Sequence, residues 1–454
     1  MNSLSGRSAV SLIALATAAC AQPSLFAGQD TAAADTLLIT NVNVIPMTSD
    51  TVLENQSVLI ENGRIMQVGP EGSIPVPAGR QVIDGHDGYL IPGLADMHVH
   101  LGLKLPQDGL ANRAEMERDL SLYLPYGVTM VRQMRGDETA LELREAIAAG
   151  ELPGPRLIVA SPSLNASLPD SFGPHVTTPE EAVTVVHALA ETGYDLVKVH
   201  QDLPDEAFNA VIDTAHMLGL PVAGHTQGTL ADTLRYDSIE HSEEVSHLFE
   251  EGADFSQSPE LLMMMKDGGV TVTPTLIVFE TIHKYLTDEA LDALLASDDA
   301  RFASTYWRDV MSPETNFFRL SMGPDYAVNE PYFRSESERL QDLTFRLNDA
   351  GIPLMLGTDA VGLVAPGVSV HQELELLVQA GLSPFEALHT ATVVPSEWLE
   401  ESDSRGQIAV GMEADFVLLD GNPLADISAT RKVAGVVTGG TWYSHDALQA
   451  MLPK

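Results

Sequence analysis

The sequence predicts an α/β fold in which a (β/α)8 TIM barrel is joined to a small β-sandwich domain built from both chain ends. Three observations predict this arrangement. Eight short, β-prone segments lie between residues 91 and 400 and alternate with helical segments, as in a barrel. Residues 37–90 instead show short strands joined by turns, and a similar pattern returns in residues 401–454. We therefore expect the barrel to be inserted between two halves of one small β-domain.

Composition and charge narrow the class of protein. The chain has 454 residues, of which 44% are hydrophobic, and this is enough for a large core. It has 64 acidic residues against 24 Lys and Arg, which gives a formal net charge of -40. Because a surface this acidic repels phosphate backbones, nucleic acid is excluded as a partner. We expect a small-molecule or peptide substrate, and formation of a homo-oligomer stays open.

The first residues are typical of an export signal. Arg7 is followed by a short apolar run and by Ala19-Cys20-Ala21, a cleavage site made of small residues. The run is too short to span a bilayer, so we expect no transmembrane segment. We predict a signal peptide over residues 1–21, a flexible linker over residues 22–36, and an exported, periplasmic or secreted protein. In the alternative, Thr17 to Cys20 resembles a lipoprotein box, and the chain would be lipid-anchored through Cys20.

Turn and capping signals mark the elements of both predicted domains. Asn62-Gly63 lies between two β-prone runs and predicts a hairpin. Thr178 and Ser383 are each followed by Pro and, three residues on, by Glu, which predicts two capped helix starts. Residues 283–345 are long, polar and aromatic, and we expect a helical insertion near the barrel mouth. The eight barrel strands are predicted at Leu94 to His98, Val128 to Gln133, Arg156 to Ala160, Asp195 to His200, Pro221 to His225, Ser238 to His241, Val270 to Leu276 and Pro353 to Gly357.

Side chains that can bind metals occur at the carboxyl ends of five predicted strands, where the active sites of such barrels lie. His98 and His100 are two residues apart, so both can face the same side of the first strand. Each such residue alone is weak evidence, but the joint pattern in barrel order predicts one metal site. The other members are Lys198, His225, His241 and Asp359, at the ends of the fourth, fifth, sixth and eighth strands.

The same residues carry a resemblance to a known family. The segment Pro92-Gly93-Leu94-Ala95-Asp96-Met97-His98-Val99-His100 resembles the opening motif of the amidohydrolase superfamily. The other four candidate ligands fall where that family keeps its remaining ligands, and Gly411 to Leu424 resembles its closing β-domain. The resemblance covers about residues 37–445. It is closest to the metal-dependent dipeptidase, prolidase-like and ochratoxinase-like branch, which shares the lysine of the fourth strand.

The resemblance implies a binuclear metal centre. Zinc is the default ion for imidazole-rich ligands, with Mn, Co or Fe left open. A carbamate, formed from a lysine and carbon dioxide, would act as an anionic bidentate ligand between the two ions. In this arrangement His98, His100 and Asp359 would hold one divalent ion, His225 and His241 the other, and Lys198 would carry the bridging carbamate.

The resemblance also implies the chemistry. A metal-bridged hydroxide would cleave an amide C–N bond, and the catalytic Asp359 would accept its proton and pass it to the leaving nitrogen. The expected substrates are dipeptides, N-acyl amino acids or ochratoxin-like aryl amides.

His175, His200 and Gln227 are the predicted substrate-binding residues. His200 lies two residues after a predicted ligand, and so does Gln227, while His175 lies in the long loop after the third strand. These side chains could bind a substrate carboxylate or an oxyanion. Support of the metal ligands is an equally open role. Arg132 and Arg135, at the second strand, could also meet a carboxylate, although Arg132 is more typical of a structural residue.

Two other functions stay open. A cyclic-amide hydrolase or deaminase could use the same scaffold, but many related deaminases have a Glu shortly after the fifth-strand His. Here Thr226-Gln227-Gly228 follows that histidine, so this Glu is missing. A non-catalytic binding lipoprotein is the second alternative, and the loss of a ligand would favour it. All six positions are filled in this sequence.

Overall fold

The computed structural model describes residues 36–76, 80–105, 108–109, 111–169, 171–200, 202–250, 252 and 254–453. The predicted signal peptide, with Cys20, and residues 22–35 of the predicted linker lie outside these ranges. No helix in the described ranges combines the length and the apolar character that a membrane span requires.

The described residues contain both short buried strands and longer solvent-facing strands. The strands are β1 (Thr36–Val44), β2 (Leu53–Glu61), β3 (Arg64–Pro70), β4 (Gln81–Pro92), β5 (Leu94–Val99), β6 (Val128–Gln133), β7 (Arg156–Val159), β8 (Val197–Val199), β9 (Val222–Gly224), β10 (Ser238–Glu240), β11 (Thr271–Thr273), β12 (Phe416–Leu419), β13 (Val433–Thr438) and β14 (Thr441–Ser444).

Helices separate the central strands and also follow the last of them. They are α1 (Arg113–Leu120), α2 (Glu138–Ala148), α3 (Pro179–Thr192), α4 (Asp205–Met217), α5 (Leu230–Thr233), α6 (Ser242–Ser246), α7 (Pro259–Asp267), α8 (Leu276–Tyr285), α9 (Asp288–Leu295), α10 (Thr305–Val310), α11 (Phe317–Met322), α12 (Glu330–Ala350), α13 (Val368–Ala380), α14 (Pro384–Thr390), α15 (Val393–Trp398) and α16 (His445–Met451).

Strands from both chain ends form one seven-stranded sheet in the order β14-β13-β12-β4-β1-β2-β3. The pair β1–β4 is parallel, whereas β4–β12 and β1–β2 are antiparallel. Buried side chains from both ends, among them Ile39, Phe416 and Trp442, pack in one apolar cluster. The predicted hairpin is confirmed, since Asn62 and Gly63 join β2 to β3 with φ of 50° and 73°. Such left-handed angles at both central residues are what a tight two-residue hairpin turn requires.

Two parallel sheets position the candidate site, with strand orders β5-β6-β7 and β11-β10-β9-β8. A one-residue bridge joins Ala160, just after β7, to Leu196, just before β8. A second bridge joins Val272 of β11 to Leu354. These parallel strands are almost entirely buried, as expected when helices cover the sheet.

The predicted eighth strand, Pro353 to Gly357, is wrong as a continuous strand. Of these five described residues only Leu354 forms a β-bridge. The physical reason is a competing partner, because the backbone N–H of Leu356 donates to the carbonyl of Thr390 at the end of α14, at 2.9 Å. One direct hydrogen bond to β5 remains, from the N–H of Met97 to the carbonyl of Leu356 at 2.8 Å.

The capping signals are confirmed. Thr178 and Ser383 cap α3 and α14, each with Pro in the first turn and a reciprocal bond to a Glu three residues on. The α3 helix ends at Gly193, whose φ of 91° suits glycine. In the part of the predicted insertion that follows α8, the chain forms α9, α10, α11 and most of α12.

Candidate metal centre

The first candidate ligands lie at the end of β5. His98 belongs to the strand, and His100 directly follows its last residue. Because the two residues are two positions apart, their side chains point to the same side. Their Nε2 atoms lie 3.3 Å apart. Oδ1 of Asp359 lies 3.3 Å from Nε2 of His100 and 3.7 Å from Nε2 of His98. Donor atoms at these separations fit around one ion whose bonds are about 2.0–2.2 Å long.

The other two imidazoles join this cluster. His225 and His241 directly follow β9 and β10. The ring centroid of His241 lies 4.7 Å from that of His98 and 5.0 Å from that of His225. The structure therefore brings all four predicted histidines together beside Asp359.

Lys198 is buried at the middle of β8, with 2% of its surface exposed. Its Nζ atom has no hydrogen-bond partner among the described residues. Burial lowers the pKa of Lys198 to about 8, although the carboxylates of Glu240 and Asp359 oppose the change. A fraction of the amine is therefore neutral near pH 7, and the neutral form is the one that carbamate formation requires.

Burial favours the neutral form of the four imidazoles. Burial holds the pKa of His98, His100, His225 and His241 well below the usual range of histidine, and the positive charge of Lys198 acts in the same direction on each. A neutral ring nitrogen keeps the lone pair that a metal ion needs.

Two of the candidate ligands have unusual backbone angles. Asp359 has a φ of 44° and His241 a φ of 75°, in the left-handed region that costs non-glycine residues about 1–3 kcal/mol. The backbone N–H of Asp359 donates to the carbonyl of His98 at 2.7 Å, and that of His241 donates to the carbonyl of Thr273 at 2.8 Å. These bonds hold the strained residues in place. Burial also raises the pKa of Asp359 to about 7, so this carboxyl can gain or lose a proton near neutral pH.

Sequence reasoning missed a buried carboxylate that orients His98. Oε2 of Glu240 lies 2.8 Å from Nδ1 of His98, and Oε1 accepts a hydrogen bond from Nη2 of Arg132 at 2.7 Å. Both Glu240 and Arg132 are fully buried. Because Nδ1 of His98 is engaged, Nε2 is the atom that faces Asp359 and His100. The available signal was an acidic residue inside a short apolar strand, directly before a candidate ligand.

A second missed contact orients His241. Its Nδ1 lies 2.7 Å from Oγ1 of Thr275, which leaves Nε2 for a ligand. Thr275 precedes α8, and the carboxylate of Glu373 accepts hydrogen bonds from the N–H groups of Leu276 and Ile277 at 2.9 and 2.8 Å. A carboxylate at a helix N-terminus satisfies otherwise unpaired donors. Glu373 therefore fixes the helix start that carries Thr275.

The predicted substrate-binding residues differ in their surroundings. The ring centroid of His200 lies 4.2 Å from that of His225, at the edge of the cluster. Burial lowers the pKa of His200 to about 4. Nε2 of Gln227 donates to the carbonyl of His200 at 3.0 Å, and its Oε1 accepts from the N–H of Leu203 at 3.1 Å. This favours the supporting role of Gln227 that the sequence left open. His175 is exposed, and its Nε2 lies 2.6 Å from the carbonyl oxygen of Leu168.

The donor set fits divalent metal ions. Neutral imidazoles and a carboxylate are the ligands that zinc and related ions prefer. The His98, His100 and Asp359 group is compact enough for one ion, since its ligand atoms all lie within 4.8 Å of one another. Nζ of Lys198 is buried without a hydrogen-bond partner among the described residues, and its charge acts on His225 and His241. A ligand bound between these residues would give it one.

Comparison with known proteins agrees with this geometry. The model of the amidohydrolase family matches residues 89–443. Ochratoxinase from Aspergillus niger is 24% identical over 442 residues, which covers 85% of this chain and 81% of that protein. The crystal structure of the A. niger enzyme has a TM-score of 0.68 at 21% identity and covers 90% of this chain and 96% of its own. A Xaa-Pro dipeptidase with bound methionine has a TM-score of 0.69 at 24% identity, with 90% and 100% covered.

At these identities the solved structures establish the shared α/β fold, and the family is established by the length of the family match. That match covers well over half of the chain, and the relatives include the branches predicted from the sequence. The predicted enzyme class is confirmed with it. This chain belongs to the amidohydrolase family of enzymes.

Proposed function

We propose that this enzyme hydrolyses an amide C–N bond in a dipeptide, an N-acyl amino acid or an ochratoxin-like aryl amide. The observation that carries the proposal is the cluster of His98, His100 and Asp359, with donor atoms 3.3 to 3.7 Å apart, beside the imidazoles of His225 and His241. The similarity to ochratoxinase and to a Xaa-Pro dipeptidase supports this class of substrate.

The proposal includes two divalent ions, with zinc as the first choice. When bound, such ions lower the pKa of a water molecule and polarise a carbonyl group. Lys198 would attack carbon dioxide with its neutral amine, form an N–C bond and release one proton, which leaves an anionic carbamate. Residues holding the ions would be His98, His100 and Asp359 on one side, His225 and His241 on the other, and Lys198 between them.

The chain's own residues would move the proton. Asp359 is buried, and its pKa of about 7 allows it to take a proton from water and to return it to the leaving nitrogen. Glu240 keeps the ring of His98 in one orientation through the bond to Nδ1. Burial of His98, Lys198 and His241 limits competition from bulk water for these contacts, whereas His100, His225 and Asp359 stay partly accessible.

We also propose the finer architecture behind this site. The bridges at Ala160 and Leu354, and the hydrogen bond from Met97, support closure of the parallel strands into an eight-membered barrel. The seven-stranded sheet would then fold over its apolar cluster as the sandwich domain. We further propose that the protein is exported to the periplasm or medium after removal of residues 1–21. Amino-terminal sequencing of the mature protein tests this.

Chelation tests the function directly. The purified protein is treated with a chelator, dialysed and assayed against a panel of dipeptides, N-acyl amino acids and lactams, before and after zinc is returned. We expect activity on a linear amide to disappear and to return with zinc. Full activity in the chelator would reject the mechanism, and activity confined to lactams would favour a cyclic-amide hydrolase.

A further inference from the structure

Two cavities border His100, one of the candidate metal ligands. One has a volume of about 890 Å³ and the other about 440 Å³, and His100, Gly102 and Leu103 line both. Both volumes lie in the range of small-molecule sites, about 300–1,000 Å³. A substrate whose scissile bond lies beside His100 therefore has room on both sides of that bond.

The two cavities differ in their chemistry. The larger one is lined by the aromatic side chains of Tyr306 and Trp307 from α10 and by several charged side chains, among them Lys104 and Glu115, which form an ion pair. The smaller one is lined by Phe172, from the loop after β7, and by Arg135, which follows β6. The two groups that the scissile bond joins would therefore lie in cavities with different side chains.

Arg135 has no partner of its own. Its guanidinium makes no hydrogen bond and no ion pair with the described residues; it lies 5.3 Å from the centre of the Phe172 ring. Partly or fully buried arginines elsewhere in the chain are paired, as Arg156 is with Glu401 and Arg431 with Glu375. Arg301 and Arg308, which line the larger cavity, also lack a hydrogen bond or ion pair with the described residues, but both are exposed, whereas Arg135 is half-buried.

The charge of the nearby Asp137 acts on Arg135, but the two side chains form no hydrogen bond and no ion pair. Among the described lining residues of the smaller cavity, Asp137 is the one carboxylate. Its side chain accepts a hydrogen bond from the N–H of Ala140 at 2.9 Å and caps α2 instead. The N–H donors of Arg135 therefore stay available to a group that enters the cavity.

We propose that Arg135 binds a carboxylate of the substrate, with the amino-acid part of the substrate in the smaller cavity and the acyl part in the larger one. This inference rests on the proposed amide hydrolysis. A guanidinium matches a planar carboxylate with two parallel hydrogen bonds, and stacking on Phe172 holds its plane. Arg135 would thus select N-acyl amino acids over amides that have no free carboxylate.

The test compares two substrates that differ in one group. N-benzoyl-L-phenylalanine carries the carboxylate, and N-benzoylphenethylamine lacks it. With the zinc-loaded full-length protein we expect kcat/KM to be at least ~10-fold higher for the acid, since hydrogen bonds between charged groups contribute roughly 10- to 100-fold. Arg135→Met should remove this preference by lowering kcat/KM for the acid alone, and Arg135→Lys should keep part of it.

A matched control removes the same charge elsewhere. Arg334 is exposed on α12 and pairs with Glu330, so Arg334→Met should leave the preference unchanged. An equal loss of kcat/KM for both substrates in Arg135→Met, or an equal change in Arg334→Met, would overturn the inference. A folded Arg135→Lys variant, checked by its melting temperature, guards against simple misfolding.

Binding separates this inference from the proposed function. If zinc-loaded protein hydrolyses neither compound, calorimetry measures how tightly each binds to the wild type and to Arg135→Met. Tighter binding of the acid that disappears in Arg135→Met would support the role of Arg135 while removing support for the hydrolysis. Equal binding of both compounds to the wild type would overturn the role of Arg135.

Discussion

The carboxylate of Glu240 lies 2.8 Å from Nδ1 of His98 and bonds on its other side to the buried guanidinium of Arg132. This contact fixes which nitrogen of His98 faces Asp359 and His100. It also ties the ligand on β5 to a residue on β10, across the site. Hydrogen-bonded carboxylates of this kind orient metal-binding histidines in many proteins.

Replacement of Glu240 tests this contact. In Glu240→Gln we expect a loss of zinc affinity and of kcat/KM of about 10- to 100-fold, because His98 loses its anionic partner. Unfolding free energy should also fall by about 3–5 kcal/mol, since buried Arg132 loses its hydrogen-bonded counter-ion and keeps only the charge of Asp96, to which it makes no hydrogen bond. Zinc titration and denaturant unfolding measure the two effects. Glu336→Gln, which alters an ion pair with Arg339 away from the site, should leave zinc affinity unchanged.

Lys198 should be required for the second metal ion. In Lys198→Met we expect fewer than two zinc ions per chain and loss of activity, since the bridging anion is gone. Carbon-13 NMR of the wild type in labelled bicarbonate should show a carbamate carbon that is missing from the variant. A wild type that binds two ions without a carbamate signal would refute the proposed modification.

Substitution of Asp359 should abolish catalysis without removing the metal. Asp359→Asn keeps an oxygen that can ligate but removes the group that carries the proton. We expect turnover to be lost while zinc remains bound, measured by kcat and by metal analysis of the same sample. Turnover close to that of the wild type would assign the proton transfer to another residue.

A buried histidine outside the site should make the fold acid-sensitive. His371 is fully buried, and burial lowers its pKa to about 3, with the charge of Arg431 acting in the same direction. Thr430 donates its hydroxyl to the carbonyl of Ile427, so Nδ1 of His371 carries the hydrogen that bonds to Oγ1 of Thr430 at 3.0 Å. Its Nε2 has no close hydrogen-bond partner among the described residues, and a weak contact with the backbone of Tyr126 opposes the lowering of the pKa only in part.

The sign of the pH effect follows from this depressed pKa. Below pH 6.5 the unfolded chain takes up a proton at His371 and the folded chain does not, so stability falls as the pH decreases towards about 3. Between pH 7 and pH 5, His371 should lower the unfolding free energy by about 2 kcal/mol. We expect His371→Leu to have a flatter profile of unfolding free energy against pH. The exposed His187→Leu control should follow the wild type.

The strand ends could be predicted because the signal is local. Alternation places His98 and His100 on one side of a strand, and a barrel brings the ends of successive strands together. The same reasoning placed Lys198, His225 and His241 at the ends of buried strands. In the structure the two histidines directly follow β9 and β10, whereas Lys198 lies at the middle of the short strand β8.

The supporting contacts could not be predicted, because they depend on distant pairs. Glu240 and His98 are 142 positions apart, and no local pattern links them. The prediction of the eighth strand was wrong for a similar reason, since the N–H of Leu356 donates to the carbonyl of Thr390, which is distant in sequence. Propensity alone shows that a segment is suited to a strand, whereas the available partners decide whether the ladder forms.

The location of bound metal tests the central claim most directly. Crystals of the zinc-loaded protein, measured at the zinc absorption edge, would show where the ions lie. The account predicts two anomalous peaks, one within coordination distance of His98, His100 and Asp359 and one beside His225 and His241. A structure with zinc bound elsewhere and no peak within reach of these residues would contradict it.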